Sequence, residues 1–267
     1  MRIEIENTSS PGASFTANTN EVLLKVLDWI KENNSKVLTF KEFRMTLQRE
    51  KGINDNNARN IYPLLKNGGL IQYENRGDLI VNRFFTKTGL AYVTALDAKR
   101  DIQANDQYTP RQKQIATQKL DAIISEIVRN ALSKIMKTPG LNYVEPLRGF
   151  ISFVLRYRKI DKTEFAYFLY ESKSANILDA LNNAEENIRA YRAGSLEIDV
   201  SISVRNDLNL REQTNASKRK EGLSFLTSYT YFSSLLQQAD FLMKQDGYFV
   251  LKEDYRAELE KLSEVQK

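Results

Sequence analysis

One supersecondary pattern occurs twice in this chain, and it sets the terms for any fold. Leu64-Leu65, then Gly69-Leu70-Ile71, then Gly77-Asp78-Leu79-Ile80-Val81 is echoed by Leu235-Leu236, Asp240-Phe241-Leu242 and Asp246-Gly247-Tyr248-Phe249-Val250. Each stretch reads as the end of a helix, a turn and a two-stranded hairpin. The copies lie 171 residues apart in the helix (64 to 235) and 169 apart in the second strand (79 to 248), so the second hairpin is the tighter one. Two copies of one small unit favour a pair of like domains over a single extended sheet.

The residues around the first copy extend the pattern. Val22, Leu23, Val26, Leu27, Trp29 and Ile30 recur at helical spacing over 21–32. Thr39 followed by Glu42 is a capping box for a second helix over 40–49, ended by Lys51-Gly52-Ile53. Asn54 is a good N-cap for a third helix to about Lys66, closed by Asn67-Gly68-Gly69. The extended runs 70–74 and 79–84 flank Asn75-Arg76-Gly77-Asp78, and a further helix follows from Thr88 to about Arg100. Helix, helix, helix, hairpin is the order of a winged helix-turn-helix.

The expected fold is therefore mainly α with small β-hairpins, as tandem winged helix-turn-helix domains joined by a long helix. Residues 1–19 are expected to be a flexible lead, broken by Ser9-Ser10-Pro11-Gly12. The first domain spans 20–100. Residues 101–140 hold a polar linker and a connecting helix, which opens at Thr109-Pro110 and runs to Lys137. The second domain spans 141–267, with helices over 146–158, 161–169, 175–191 and 217–238 and an insertion near 194–216. Its hairpin turns at Asp246-Gly247.

Composition removes whole classes of chemistry. With no cysteine and no histidine, the chain holds no disulfide, thiolate or imidazole metal site, and no Ser-His or Cys-His nucleophile. Two loose matches to the metal-nuclease pattern of an acid followed by acid-x-Lys exist: Asp161 with Glu171-Ser172-Lys173, and Asp78 with Asp97-Ala98-Lys99. In both, the intervening elements keep the carboxylates from converging. No Gly-rich phosphate loop is present, so no catalytic or metal-ligating residue is assigned. No apolar run approaches the roughly 18 residues of a membrane span, and a cytoplasmic protein is expected.

The charge balance, 39 basic against 34 acidic residues, leaves a net +5 and favours an anionic partner. The third helix opens Asn54-Asp55-Asn56-Asn57-Ala58-Arg59-Asn60. Asn bonds adenine at two points and Arg bonds guanine likewise, from a helix tip placed in the major groove. Capping explains Asn54 but not Asn56, Asn57 and Asn60, because Asn is a poor helix former. Arg76 at the hairpin tip, with Arg83 and Lys87, suits phosphate or minor-groove contact. In the second domain Lys218, Arg219 and Lys220 crowd a helix start where cations oppose the dipole, and Ser224, Thr227 and Ser228 follow. Arg111 and Lys113 begin a basic face on the connecting helix, continued by Lys119, Arg129, Lys134 and Lys137. The aromatics Tyr157, Tyr167, Phe168 and Tyr170 read as core rather than as a stacking platform.

Longer stretches resemble a known family. Asn57 to Ile71 resembles the recognition-helix end of winged helices in restriction enzymes. Val144-Glu145-Pro146-Leu147, the 150–155 helix and Lys159 to Leu169 resemble the DNA-recognition half of type IIS restriction and nicking endonucleases of the BstNBI, MlyI and AlwI kind, and more broadly of FokI. The 228–251 helix and hairpin follow that pattern in order and spacing. The resemblance covers about 20–262 and implies binding of double-stranded DNA at an asymmetric site. In that family a separate nuclease domain follows, and it carries the metal carboxylates. Here Mg²⁺ is accordingly expected only in an associated nuclease domain or subunit. A tandem winged-helix transcription regulator or replication initiator, and a protein-interaction scaffold, are the competing readings.

Overall fold

In the computed structural model, which describes residues 1–6, 8–75, 77–203 and 226–264, the protein is mainly helical with small sheets. Its contacts divide it into an N-terminal unit, Pro11–Gly140 with Gln238–Asp240, and a C-terminal unit, Met1–Ser10 with Leu141–Gln237 and Phe241–Lys267. The expected flexible lead is corrected at once. The chain opens with β1 (Arg2–Glu6), an alternating strand that buries Ile3 and Ile5 and belongs to the C-terminal unit.

The N-terminal unit then begins. Phe15 is fully buried, and Thr16 caps α1 (Ala17–Asn33), which buries the apolar stripe from Val22 to Ile30. A strand absent from the sequence reading follows: β2 (Val37–Thr39). Its last residue, Thr39, caps α2 (Phe40–Lys51) in a full capping box with Glu42, and Gly52 ends that helix in the left-handed region at φ 66°. Asn54 caps α3 (Asp55–Asn67) by accepting from the Asn56 amide at 2.8 Å. The outer hairpin strand shortens to β3 (Asp78–Ile80), which pairs antiparallel with β2, Val37 opposite Ile80. Between the two expected hairpin strands, one bridge, Ile71 to Phe85, and the Gln72 N–H to Phe84 carbonyl bond at 2.8 Å remain. The pleated ladder was thus expected against the wrong partner. After a single 3₁₀ turn (Val81–Arg83), α4 (Lys87–Ala104) and α5 (Pro110–Lys137) pack together. Thr109 and Gln112 form the second capping box of the unit. Because α5 packs on α4 and α3, it is part of this unit rather than a free connector.

The C-terminal unit repeats the plan with additions. α6 (Val144–Tyr157) buries Leu147, Phe150, Ile151, Phe153 and Val154. β4 (Lys159–Ile160) leads into Asp161, whose carboxylate caps α7 (Lys162–Glu171) in a capping box with Glu164. Next come α8 (Ile177–Arg192) and β5 (Asp199–Ser203). β5 pairs in parallel with β1, Ile3 opposite Val200. Part of the expected 194–216 insertion is therefore a strand; the remainder, from 204, lies outside the described residues. α9 (Thr227–Gln238), β6 (Leu242–Gln245), β7 (Tyr248–Leu251), a 3₁₀ turn and α10 (Arg256–Ser263) complete the chain. Asp246 and Gly247 take φ 49° and 83°, the two positive values a type I′ hairpin turn needs. β7 also pairs with β4, giving the order β4-β7-β6.

Glu164 is fully buried and is held by Arg192, whose guanidinium also donates to the carbonyls of Lys159 at 2.8 Å and Tyr157 at 3.1 Å. Burial pushes the Glu164 carboxyl above its usual range and Arg192 pulls it back. The ion pair thereby anchors α8 to the end of α6 and the start of β4.

The caps give a direct stability test. Thr39→Ala should lower stability by about 1 kcal/mol in chemical denaturation. Asp161→Ala should cost more, about 2 kcal/mol, because the Tyr191 hydroxyl donates to the same carboxylate at 2.9 Å and loses its acceptor.

Candidate nucleic-acid interface

The two copies of the helix-hairpin pattern share their buried positions but not every exposed one: Asn57 is exposed, whereas Ser228, 171 positions on, is buried. In α3 and the residues after it, positions 58, 61, 62, 64, 65, 68, 70 and 71 are buried; 171 positions on, 229, 232, 233, 235, 236, 239, 241 and 242 are buried too. Both helices end alike. Gly69 at φ 71° and Asp240 at φ 64° take the left-handed turn, and the next amide closes back on the helix: Leu70 to the Leu65 carbonyl at 2.8 Å, Phe241 to the Leu236 carbonyl at 2.9 Å. In each unit a short strand before a capped helix, β2 or β4, pairs antiparallel with a strand that follows the repeated helix, β3 or β7, and β7 also forms the hairpin with β6. Three residues were too few for a period of two to register in the sequence, and two fewer still.

The outward side of α3 carries the amide-rich set. Asn54, Asn56, Asn57, Arg59 and Asn60 are all exposed, and Ala58 turns inward. Asn54 is occupied as a cap, as capping alone would have it. Arg59 is 64% exposed and its Nε donates to Asp55 at 2.8 Å, a carboxylate that also accepts from Arg44 at 2.7 Å. Asp55 thus pre-positions Arg59 along the helix. Asn60 borders the loop at Gly12, where a side chain would come within 3.7 Å of its amide oxygen. Arg83 and Lys87 are exposed beside the hairpin, and Arg76 lies outside the described residues.

The expected basic face of α5 is only partly open. Arg111 is exposed, but the Lys113 ammonium donates to the Gln103 carbonyl at 2.8 Å. Arg129 donates to the Ala239 carbonyl at 3.1 Å, and Lys134 packs over Gly69.

In the second unit the outcome differs more. Lys218, Arg219, Lys220 and Ser224 lie outside the described residues. Thr227, at the start of α9, is exposed. Ser228 is corrected: it is 0% exposed, on the face that buries Tyr229 and Phe232, so it offers nothing to a partner. The repeat points instead to residues the sequence reading passed over. At the same offset Arg59, Asn60 and Lys66 correspond to Thr230, Tyr231 and Gln237, of which Thr230 and Gln237 are exposed and Tyr231 half-buried. Carrying the offset of 171 through the whole helix, rather than through its end alone, would have found them.

Aromatic rings and cations cluster beside both helices. Phe40 stacks on Tyr73 at 3.9 Å with an interplanar angle of 10°, and the Lys66 ammonium lies 4.5 Å above Tyr73. In the other unit Lys159 lies 4.0 Å above Tyr248, and Lys162 is 5.9 Å from Tyr229. Burial holds the Lys162 amine below its ordinary range. Burial also raises the Tyr62 and Tyr73 phenols, with the Arg44 charge opposing. Tyr167 and Phe168 are buried, as expected for core aromatics, and Tyr170 is exposed.

The acid patterns stay apart. Asp161 and Glu171 sit at opposite ends of α7, and Asp97 on α4 is ion-paired with Lys31 and Arg100. Among the described residues no helix is long and apolar enough to cross a membrane. No family model, curated protein or solved structure matches the chain.

Proposed function

We propose that this protein binds double-stranded DNA sequence-specifically, each unit acting as a winged helix, as the target-recognition region or specificity subunit of a type IIS restriction or nicking enzyme. Cleavage would fall to an associated nuclease domain or subunit carrying its own Mg²⁺. The orders α1-β2-α2-α3-β3 in the N-terminal unit and α6-β4-α7-α9-β6-β7 in the C-terminal unit, where α8 and β5 are inserted after α7, support the winged-helix reading. The observation that carries the function is the exposed row Asn56, Asn57, Arg59 and Asn60 on α3, beside the hairpin cations Arg83 and Lys87. Amide and guanidinium groups pair with adenine and guanine edges, and a helix fits the major groove. Two units with different outward residues suit an asymmetric site, which a symmetric dimer does not read.

A duplex selected from a randomised pool tests this. Its affinity should fall at least about tenfold between 50 and 200 mM salt, as phosphate contacts release counterions. The double variant Asn57→Ala/Arg59→Ala should lose selectivity over a scrambled duplex by about 100-fold while staying folded. If no duplex is enriched, or the double variant selects the same sequence as tightly, the reading fails.

A further inference from the structure

A cleft of about 480 Å³ opens between α2, α3 and the segment after α3, lined in part by Lys41, Arg44, Arg59, Tyr62, Tyr73 and Asn75. Its charge is unbalanced. Three cations border it, and one carboxylate, Asp55, answers both arginines at 2.7 and 2.8 Å. Among the described residues Lys41 makes no ion pair, and its side chain is exposed. Two donors in the wall are orphaned. Tyr62 is 1% exposed, and neither its hydroxyl nor the Arg44 Nε has a hydrogen-bond partner. A buried donor without an acceptor is costly, so natural folds keep few of them. Arg44 is further held 5.3 Å from the Phe40 ring, itself stacked on Tyr73.

We propose that this cleft binds a phosphate group, gripped by Lys41 and Arg44 with the Tyr62 hydroxyl as a neutral third donor, while Arg59 at its rim stays on Asp55. A wall of donors calls for a ligand made of acceptors, and phosphate presents several oxygens in the geometry a guanidinium fork meets. Asp55 holds the place of that anion within the chain. Phosphate enters by taking the Arg44 guanidinium from Asp55, and the swing of Arg44 carries its orphaned Nε to the ligand and opens the buried Tyr62 hydroxyl to it. Two carriers share this chemistry: a backbone phosphate of a bound duplex and a free phosphorylated molecule. Only the first rests on the DNA reading above.

The test uses the full chain, Tyr62→Phe and Lys41→Gln. Tyr62→Phe removes a hydroxyl that bonds nothing in the protein, so the variant should melt no lower than the parent. Inorganic phosphate, against chloride at equal ionic strength, should raise the melting temperature of the parent and raise that of both variants by less than half as much. In a second arm, affinity for the selected duplex should fall about tenfold on Tyr62→Phe if the phosphate belongs to DNA. A response to inorganic phosphate with unchanged duplex affinity assigns a free phosphorylated molecule. Equal phosphate shifts in parent and variants, with duplex affinity untouched, overturn the site. Asn57→Ala run in parallel separates the two failures. If it alone weakens the duplex, the cleft is wrong and the groove reading stands. If no duplex is bound but phosphate stabilises the parent alone, the reverse holds.

Discussion

Gly89→Ala should lower the melting transition of the N-terminal unit by about 15 °C, a loss of at least about 4 kcal/mol. A methyl group built on Gly89 would lie 1.7 Å from the carbonyl oxygen of Leu70, closer than any side-chain carbon can approach a backbone atom. No rotamer relieves this, because the obstacle is main chain. It is also pinned: the Thr86 hydroxyl donates to the Gly69 carbonyl at 2.7 Å, the Thr86 amide donates to Leu70 at 3.0 Å, and the Gly89 amide returns a bond to the Thr86 hydroxyl at 3.0 Å. Gly89, in the first turn of α4, is therefore the point where that helix is pressed onto the exit from α3. Either α4 retreats or the Schellman turn at Gly69 opens, and both expose core. Thr86→Val is the control. It removes the hydroxyl bonds without the clash and should cost only about 1–2 kcal/mol. Denaturation followed at Trp29, buried within this unit, separates the two outcomes. A Gly89→Ala protein melting with the parent would mean that α4 is not seated on Leu70.

The same contact shows what the sequence could and could not disclose. Gly69 at a helix end and Asp246-Gly247 in a hairpin are local signals, since the backbone angles they serve are set within a few residues. The capping boxes at Thr39, Thr109 and Asp161 are local as well. Gly89 gave no such signal: a glycine inside a helix looks like a blemish until the strand exit it admits is known. The parallel pair β1 and β5 was hidden for a different reason. Arg2 meets Asp199, 197 residues further along, and nothing near Ile3 and Ile5 names a partner so distant. An alternating run of five residues at a polar N-terminus then reads as coil. Within the candidate interface, the exposure of Asn56, Asn57 and Arg59 followed from the helical period around Ala58 and Ile61. Ser228 was misplaced because one residue decides which side of a helix faces the core; residues 217–225 of the expected helix lie outside the described residues.

If both helices enter DNA, base preference should divide between them. In α3 the outward groups are amides and a guanidinium; in α9 they are Thr230, Tyr231 and Gln237, with no charge among them. A bidentate Arg or Asn contact discriminates by about 1–3 kcal/mol, whereas hydroxyl groups accept either base and Thr adds a methyl contact to thymine. Asn57→Ala and Arg59→Ala should therefore each relax selectivity about 10- to 100-fold at one or two base pairs, leaving the rest of the site as before. Thr230→Ala and Tyr231→Ala should act on a separate block of base pairs and more weakly, by about three- to tenfold, and the two sets of losses should add, since the residues belong to different units. Scanning every base pair of the selected duplex against each variant measures this directly. Losses from both sets falling on the same base pairs would mean that the repeat duplicates a fold and not a reading surface. No change from the α9 variants would confine recognition to α3 and leave the C-terminal unit a role in positioning alone.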